Sequence, residues 1–356
     1  MTQALAKRIE GAWAGRISGC MLGKPVEMMS MRAGFDHLDA YLRRVDALPL
    51  RDYVPFEANE PQLTFPGCCR GRLERSEPDD DINYSVLALM MLEAFGEGMT
   101  TADVARSWLR HLPLGATYTA ERAAYRILLE RGHEWFPEGH DPGFDLGECA
   151  DNPYNDWIGA QIRADVYGWV CPGQPSRAAQ LASADAALSH RGDGVHGAVF
   201  VAVVGALIPE APSVAAACEG ALDFIPSGSE AARAVRLGLE LAGRADGDAE
   251  IRARYPALSP VHTVNNLAIV VWALVSHPDD FGAAIGDAVA AGWDTDCNGA
   301  TVGGLWGLQG KAIPESWTMP WAGRVGVGLA GQSELRLDEL VNRTVALARS
   351  LSAAAT

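Results

Sequence analysis

The chain is poor in several features that would each point to a distinct class of protein. Its seven cysteines in 356 residues are an odd number and form no Cys-x-x-Cys pair. That fits neither a disulfide framework nor a cysteine-based zinc site. The adjacent Cys68 and Cys69 do not bridge in ordinary geometry, so the thiols read as reduced and mostly buried. Positive charge is also scarce. The 29 Lys and Arg stand against 45 Asp and Glu, a formal net charge of −16, whereas tracking a phosphate backbone needs concentrated basic charge. Nucleic acid is therefore not the expected partner. Long hydrophobic runs are absent: the most apolar stretches, 197–208 and 267–275, fall short of the roughly 20 residues that cross a bilayer and read as buried helices. Residues 1–10 lack the basic-then-apolar pattern of a secretory signal, so no membrane association and a cytoplasmic location are expected.

What the sequence does contain is a globular composition, 48% hydrophobic and 21% charged, well supplied with core-forming residues. Ala and Leu recur three and four apart over 82–95, 101–111, 177–188, 230–243 and 337–351, the period of amphipathic or buried helices. Turn-forming clusters such as 171–175, 226–228 and 276–280 fall between them. No alternating strand pattern of useful length and no fixed repeat is visible. The expected fold is all-α, a compact single-domain helical bundle over 1–356. The stretch 37–77, rich in Pro, Arg and acids, is expected to be an irregular surface excursion.

Two acidic segments carry the chemistry. Asp79-Asp80-Asp81 follows Pro78 and immediately precedes an apolar helix near Ile82. Acids at a helix start cap free N–H groups and favour the positive end of the dipole, which is one sufficient reading. The other is a hard divalent cation, which removes the repulsion among adjacent carboxylates. More than two hundred residues later comes Gly292-Trp293-Asp294-Thr295-Asp296-Cys297-Asn298-Gly299. By itself it reads equally well as an Asx turn before a small-residue helix. In a turn entering a helix, Asp294 and Asp296 also face one ion, and Gly299, Gly303, Gly304 and Gly307 permit close backbone approach. Together the segments offer five carboxylates, enough for two ions about 3.5–4 Å apart.

These segments, with Gly15-Arg16-Ile17-Ser18-Gly19-Cys20-Met21-Leu22-Gly23-Lys24-Pro25-Val26-Glu27, resemble in order the three motifs of the ADP-ribosylglycohydrolases, of the dinitrogenase-reductase-activating and crystallin J1 type. The resemblance covers most of the chain. It implies an all-helical fold around one or two Mg²⁺ or Mn²⁺ ions, and cleavage of the bond at the anomeric carbon of ADP-ribose. Carried over by position, it implies Asp79, Asp80, Asp81, Asp294 and Asp296 as metal ligands, with Glu27, Asp80 and Asp296 as the catalytic acids. The chain departs from the family pattern at three ligand positions: Asp79 stands in place of Thr, Ile82 in place of Thr, and Cys297 in place of a Thr hydroxyl. A thiol is a poor ligand for Mg²⁺. Trp293 replaces a usual Gly and is a candidate stacking partner for a substrate ring, or else a packing residue.

His190, in Ser189-His190-Arg191, matches a family segment lining the ADP-ribose cleft. Asn155 and Arg163 belong to a polar, aromatic stretch resembling a branch of the family, with Arg163 a candidate phosphate contact. The implied partner is an ADP-ribosyl or nucleotide-like small molecule, or an ADP-ribosylated protein, bound by a monomer or small homo-oligomer. Two rival classes remain. One is a non-catalytic nucleotide-binding or crystallin-like structural relative. The other is a nicotinamide-dependent oxidoreductase, suggested by Gly192-x-Gly194-x-x-Gly197; that motif needs a preceding strand, whereas 178–188 is helical in period.

Overall fold

Glycine recurs every fourth residue at 11, 15, 19 and 23 along the first helix, Thr2–Gly23, and at 299, 303 and 307 along the helix Thr295–Gly307. A glycine row at that spacing leaves one helix face without side chains. In the computed structural model, which describes residues 2–132 and 142–353, the two bare faces meet and the helices run antiparallel. A Cβ on Gly15 would lie 2.0 Å from the Gly303 carbonyl oxygen, and one on Gly303 would lie 2.1 Å from the Gly15 oxygen. Gly11 meets Gly307 and Gly19 meets Gly299 in the same way. Every residue of Thr295–Gly307 is buried, so this backbone-to-backbone pair is the centre of the molecule.

Helices are laid around that pair. Thr263–Ser276 and Phe281–Ala290 contribute the apolar faces expected of a buried layer, and Asp80–Phe95, Gly192–Leu207 and Leu337–Ala353 close the remainder. The sequence periods are recovered within a few residues, as in Thr101–His111, Pro175–Ala186 and Glu230–Leu241. The glycine fingerprint opens the helix Gly192–Leu207 directly after the helix Pro175–Ala186, so no strand precedes it and the dinucleotide-binding reading lapses. All seven thiols are buried and free. Among the described residues, no helix is long and apolar enough to cross a membrane.

Two local expectations change. The stretch 37–77 begins inside the helix Phe35–Arg44, and Tyr41, Leu42, Leu50, Tyr53 and Val54 are buried. The Tyr53 ring packs edge-on against Trp317 at 5.1 Å. The segment is irregular because Pro49, Pro55, Pro61 and Pro66 interrupt any helix, yet its apolar side chains enter the core instead of lying over it. The second change is a hairpin of Arg324–Leu329 and Gln332–Arg336. Val325, Val327 and Leu329 alternate inward, a period-two signal diluted by the intervening glycines. Its edge receives Ser76, whose N–H donates to the Arg324 carbonyl at 2.9 Å while the Gly326 N–H donates to the Ser76 carbonyl at 3.1 Å. That anchor fixes the chain two residues before Pro78 and the acidic run.

Candidate active site

The glycine contact determines what meets at its end. Where Thr2–Gly23 stops, the Thr295 hydroxyl donates to the Gly23 carbonyl at 2.9 Å, so Lys24 and Glu27 emerge opposite Asp294 and Asp296. The turn bearing Asp294 is clamped by the buried Asn266, whose carbonyl oxygen accepts from the Asp294 N–H at 3.3 Å and from the Asn298 amide at 2.8 Å. Trp293 precedes it with a left-handed backbone, φ 60°, the region in which glycine carries no steric penalty.

The third component is the start of the helix Asp80–Phe95. Asp79 is its N-cap, one oxygen accepting from the Asp81 N–H at 2.9 Å, while the other pairs with Lys24. Arg16, fully buried in the first helix, ties this end to the glycine pair. Its guanidinium donates to the Asp81 carbonyl at 3.0 and 2.9 Å, to Asp81 Oδ1 at 3.0 Å and to Asp165 Oδ2 at 2.8 Å.

One oxygen on each of Asp81, Asp294 and Asp296 is nevertheless buried without a hydrogen-bond partner. Such orphaned acceptors are costly in a folded protein. Three overlapping groups, Glu27–Asp294–Asp296, Asp81–Asp296–Cys297 and Cys20–Asp79–Asp81, each place one donor atom per residue within 4.8 Å of the others. Burial, reinforced by neighbouring carboxylates, raises the proton affinity of Glu27, Asp80, Asp81 and Asp294, and pushes Asp296 up to about 6. Asp79 is the exception: burial is the largest single influence and would raise it too, but the Lys24 ammonium and the hydrogen bond from the Asp81 N–H act together to hold it below the usual range. Burial also keeps the Cys20 and Cys297 thiols protonated. Buried acidic clusters able to hold a metal ion are thus present, and their unpartnered oxygens suit a hard cation.

The acids open onto a cavity of about 340 Å³ whose lining includes Glu27, Asp80, Asp294 and Asp296, with Tyr118, Trp157 and Glu121 beside them. The sequence profile of the ADP-ribosylglycohydrolases matches residues 1–351. The chain belongs to the ADP-ribosylglycohydrolase family. A solved structure described as an "ADP-ribosylglycohydrolase-related protein complex" superposes with a TM-score of 0.60 at 19% identity, covering 98% of this chain and 99% of that one. At that identity the likeness speaks for the fold alone. No curated protein sequence matches the chain.

Set against the motifs of the ADP-ribosylglycohydrolase family, the acids divide. Asp79, Asp81, Asp294 and Asp296 fall within the candidate ligating groups, and Glu27 joins them. Asp80 lines the cavity but lies outside all three groups. The residues expected to bind substrate do not line the cavity. Arg163, expected as a phosphate contact, is buried and already paired, with Asp185 at 2.7 Å, Glu121 at 2.8 Å and the Ser189 hydroxyl at 2.8 Å. His190 is fully buried with Nδ1 2.8 Å from the Ser189 hydroxyl. Burial, together with Arg163, keeps it neutral. The Asn155 amide donates to the Ala150 carbonyl at 3.2 Å. Trp293 packs against the core. The cavity-lining residues Tyr118 and Glu121, at the start of the helix Thr119–Arg131, and the buried Lys24 were missed. Only Trp157, inside the flagged aromatic stretch, carried a sequence signal.

Proposed function

We propose that this family member is a metal-dependent hydrolase that cleaves an N- or O-glycosidic bond at the anomeric carbon of an ADP-ribosyl or related nucleotide-type ribosyl substrate. The observation that carries the reading is the convergence of Glu27 with Asp81, Asp294 and Asp296, each of these three bearing a buried, unpartnered oxygen, beside a cavity of about 340 Å³. The oxygen donors of Glu27, Asp81, Asp294 and Asp296 fit Mg²⁺ or Mn²⁺, and the two protonated thiols contribute little to such a hard ion. When bound, the ion supplies Lewis acidity toward ribose hydroxyls and lowers the pKa of a water.

The chain's own groups supply the rest. Glu27, beside Asp294 and Asp296 and lining the cavity, accepts the proton of the attacking water on the carboxylate oxygen not given to the ion. The water oxygen bonds to the anomeric carbon as the bond to the leaving nitrogen or oxygen breaks, and the electron pair departs with that atom, which takes up a proton from solvent. Positive charge develops on the sugar in between. Asp80 and Asp296, both lining the cavity, provide the negative field that stabilises it. Tyr118 and Trp157 present aromatic faces to a flat ring of the substrate. Arg163 acts at one remove, by holding Glu121 against the cavity.

The test is release of product from ADP-ribosyl-arginine, ADP-ribosyl-serine, ADP-ribose derivatives and simple nucleosides, with Mg²⁺ or Mn²⁺ and with chelator. Turnover that persists after chelation would overturn the proposal. The thiols of Cys20 and Cys297 among the acids favour a second reading, a relative that binds the nucleotide without hydrolysing it. Tight binding of ADP-ribose with no turnover of any of these compounds would select that one.

A further inference from the structure

The three acidic groups are not equivalent. Asp294 and Asp296 form no ion pair among the described residues and each keeps an unpartnered oxygen. The Cys20–Asp79–Asp81 group already contains a cation. Lys24 is 4% exposed, its ammonium is paired with one Asp79 oxygen, and it lies 4.1 Å from the centroid of the Phe65 ring. The other Asp79 oxygen is taken by the Asp81 N–H at 2.9 Å. Asp81 shares one of its own oxygens with Arg16 at 3.0 Å. The remaining donor, the Cys20 thiol, is soft and lies within 4.8 Å of the donor atoms of Asp79 and Asp81.

The lysine is also held at its root. Gly23 accepts from the Thr295 hydroxyl at 2.9 Å, and the Pro25 carbonyl accepts from the Thr64 N–H at 3.0 Å. The stem therefore leaves the backbone already aimed at Asp79, with little conformational freedom to lose. A divalent ion entering this group would have to displace a desolvated ammonium from its carboxylate and its aromatic face, and would gain only one free carboxylate oxygen, on Asp81. The intermediate group, Asp81–Asp296–Cys297, offers a second ion that same oxygen, a thiol, and a carboxylate shared with Glu27 and Asp294.

We infer that the Lys24 ammonium is the resident cation of the Cys20–Asp79–Asp81 group, so that the chain holds one divalent ion, at Glu27, Asp294 and Asp296, where its acids would otherwise hold two. The inference rests on the metal-dependent reading above and specifies it. Lys24 is on this account a positioning residue: it holds Asp79, and through the Asp79 cap the start of the helix Asp80–Phe95, whether or not metal is present.

The test uses the whole chain loaded with Mn²⁺ and read by metal analysis and electron paramagnetic resonance, neither of which depends on activity. Wild type is expected to bind one Mn²⁺ per chain, with the six-line spectrum of an isolated ion. Lys24→Met keeps the stem and removes the charge, and is expected to bind two, with a spin-coupled spectrum. Lys24→Arg should stay at one. A coupled pair in wild type overturns the assignment of Lys24 and leaves the hydrolase reading intact. A Lys24→Met chain that is folded by circular dichroism and still binds one ion also overturns it. If that variant does not fold, the wild-type spectrum decides alone. Wild type that binds no Mn²⁺ overturns both the inference and the metal-dependent function.

Discussion

Replacing Gly15 or Gly303 by alanine tests the central claim about the fold. Ordinarily an alanine in place of a helical glycine stabilises, by up to about 1 kcal/mol. Here the new Cβ would sit 2.0 Å from the Gly303 carbonyl oxygen, or 2.1 Å from that of Gly15. Reaching even a tight contact of about 3 Å requires the helices to part by about 1 Å, and overpacking of that kind costs roughly 1–3 kcal/mol or more. With both central helices rigid and buried, the upper part of that range applies, and after the propensity gain a net loss of about 1–2 kcal/mol is expected. Across a chain of this length, at about 2.1 cal/mol/K per residue, that lowers Tm by about 1–3 °C. The same displacement carries Asp296 away from Glu27 and Asp81, so Mn²⁺ affinity should fall as well; a misplacement of about 1 Å costs up to roughly 100-fold in a site of this kind. Scanning calorimetry and Mn²⁺ titration measure both effects. Gly228→Ala is the control, because a Cβ there meets nothing within 4 Å. If Gly15→Ala and Gly303→Ala instead raise Tm as alanine does in an open helix, the backbone contact is not what holds the core.

Asp80→Ala and Asp296→Ala are each expected to abolish hydrolysis while leaving far-UV circular dichroism unchanged; turnover within tenfold of wild type in both would remove the acids from the mechanism. In chelator, the protein should gain stability as pH is lowered from 7 to 5. Asp296 is raised to about 6 in the fold from an ordinary value of 3.8, so the folded state takes up a proton first, and ionising the buried group costs on the order of 3 kcal/mol at neutral pH. Saturating Mn²⁺ should reverse the trend, since the ion binds the ionised form, and thermal denaturation at the two pH values with and without metal reads the sign directly. Arg163→Ala leaves Glu121 and Asp185 buried and unpaired, so chemical denaturation should show a loss of about 3–5 kcal/mol. A stable variant that loses only its affinity for phosphate-bearing ligands would restore the role the sequence had suggested.

The sequence made the helices and the acids legible because both are local signals. Runs such as 101–111 and 230–243 declare their period within a few turns, and Asp79 to Asp81 and Asp294 to Asp296 stand out as charge at the mouths of apolar helices. The outer wall of the cavity was not legible. Arg163 and His190 carry the chemistry of a binding residue, but only the folded chain shows Arg163 held by Glu121, Asp185 and Ser189, and His190 fully buried with Nδ1 on the Ser189 hydroxyl. Tyr118 and Glu121 sit at an unremarkable helix start, with no period or motif to mark them. Lys24 illustrates the limit: a lysine after a helix reads as solvent-facing, and its burial depends on Asp79, fifty-five residues away, and on Phe65. The hairpin was overlooked because Gly326 and Gly328 mask an otherwise regular alternation.

The acids and the outer lining of the cavity come from different parts of the chain. Glu27, Asp294 and Asp296 are fastened to the glycine-locked pair, whereas Tyr118, Trp157 and Val261 belong to peripheral turns and helix starts. Substitutions in the outer lining can therefore reshape the cavity while the acidic groups stay where they are. Under the proposed hydrolase reading, grafting the segments around 118–121, 157–162 and 259–261 from a relative is the natural route to changing substrate preference without touching the acids.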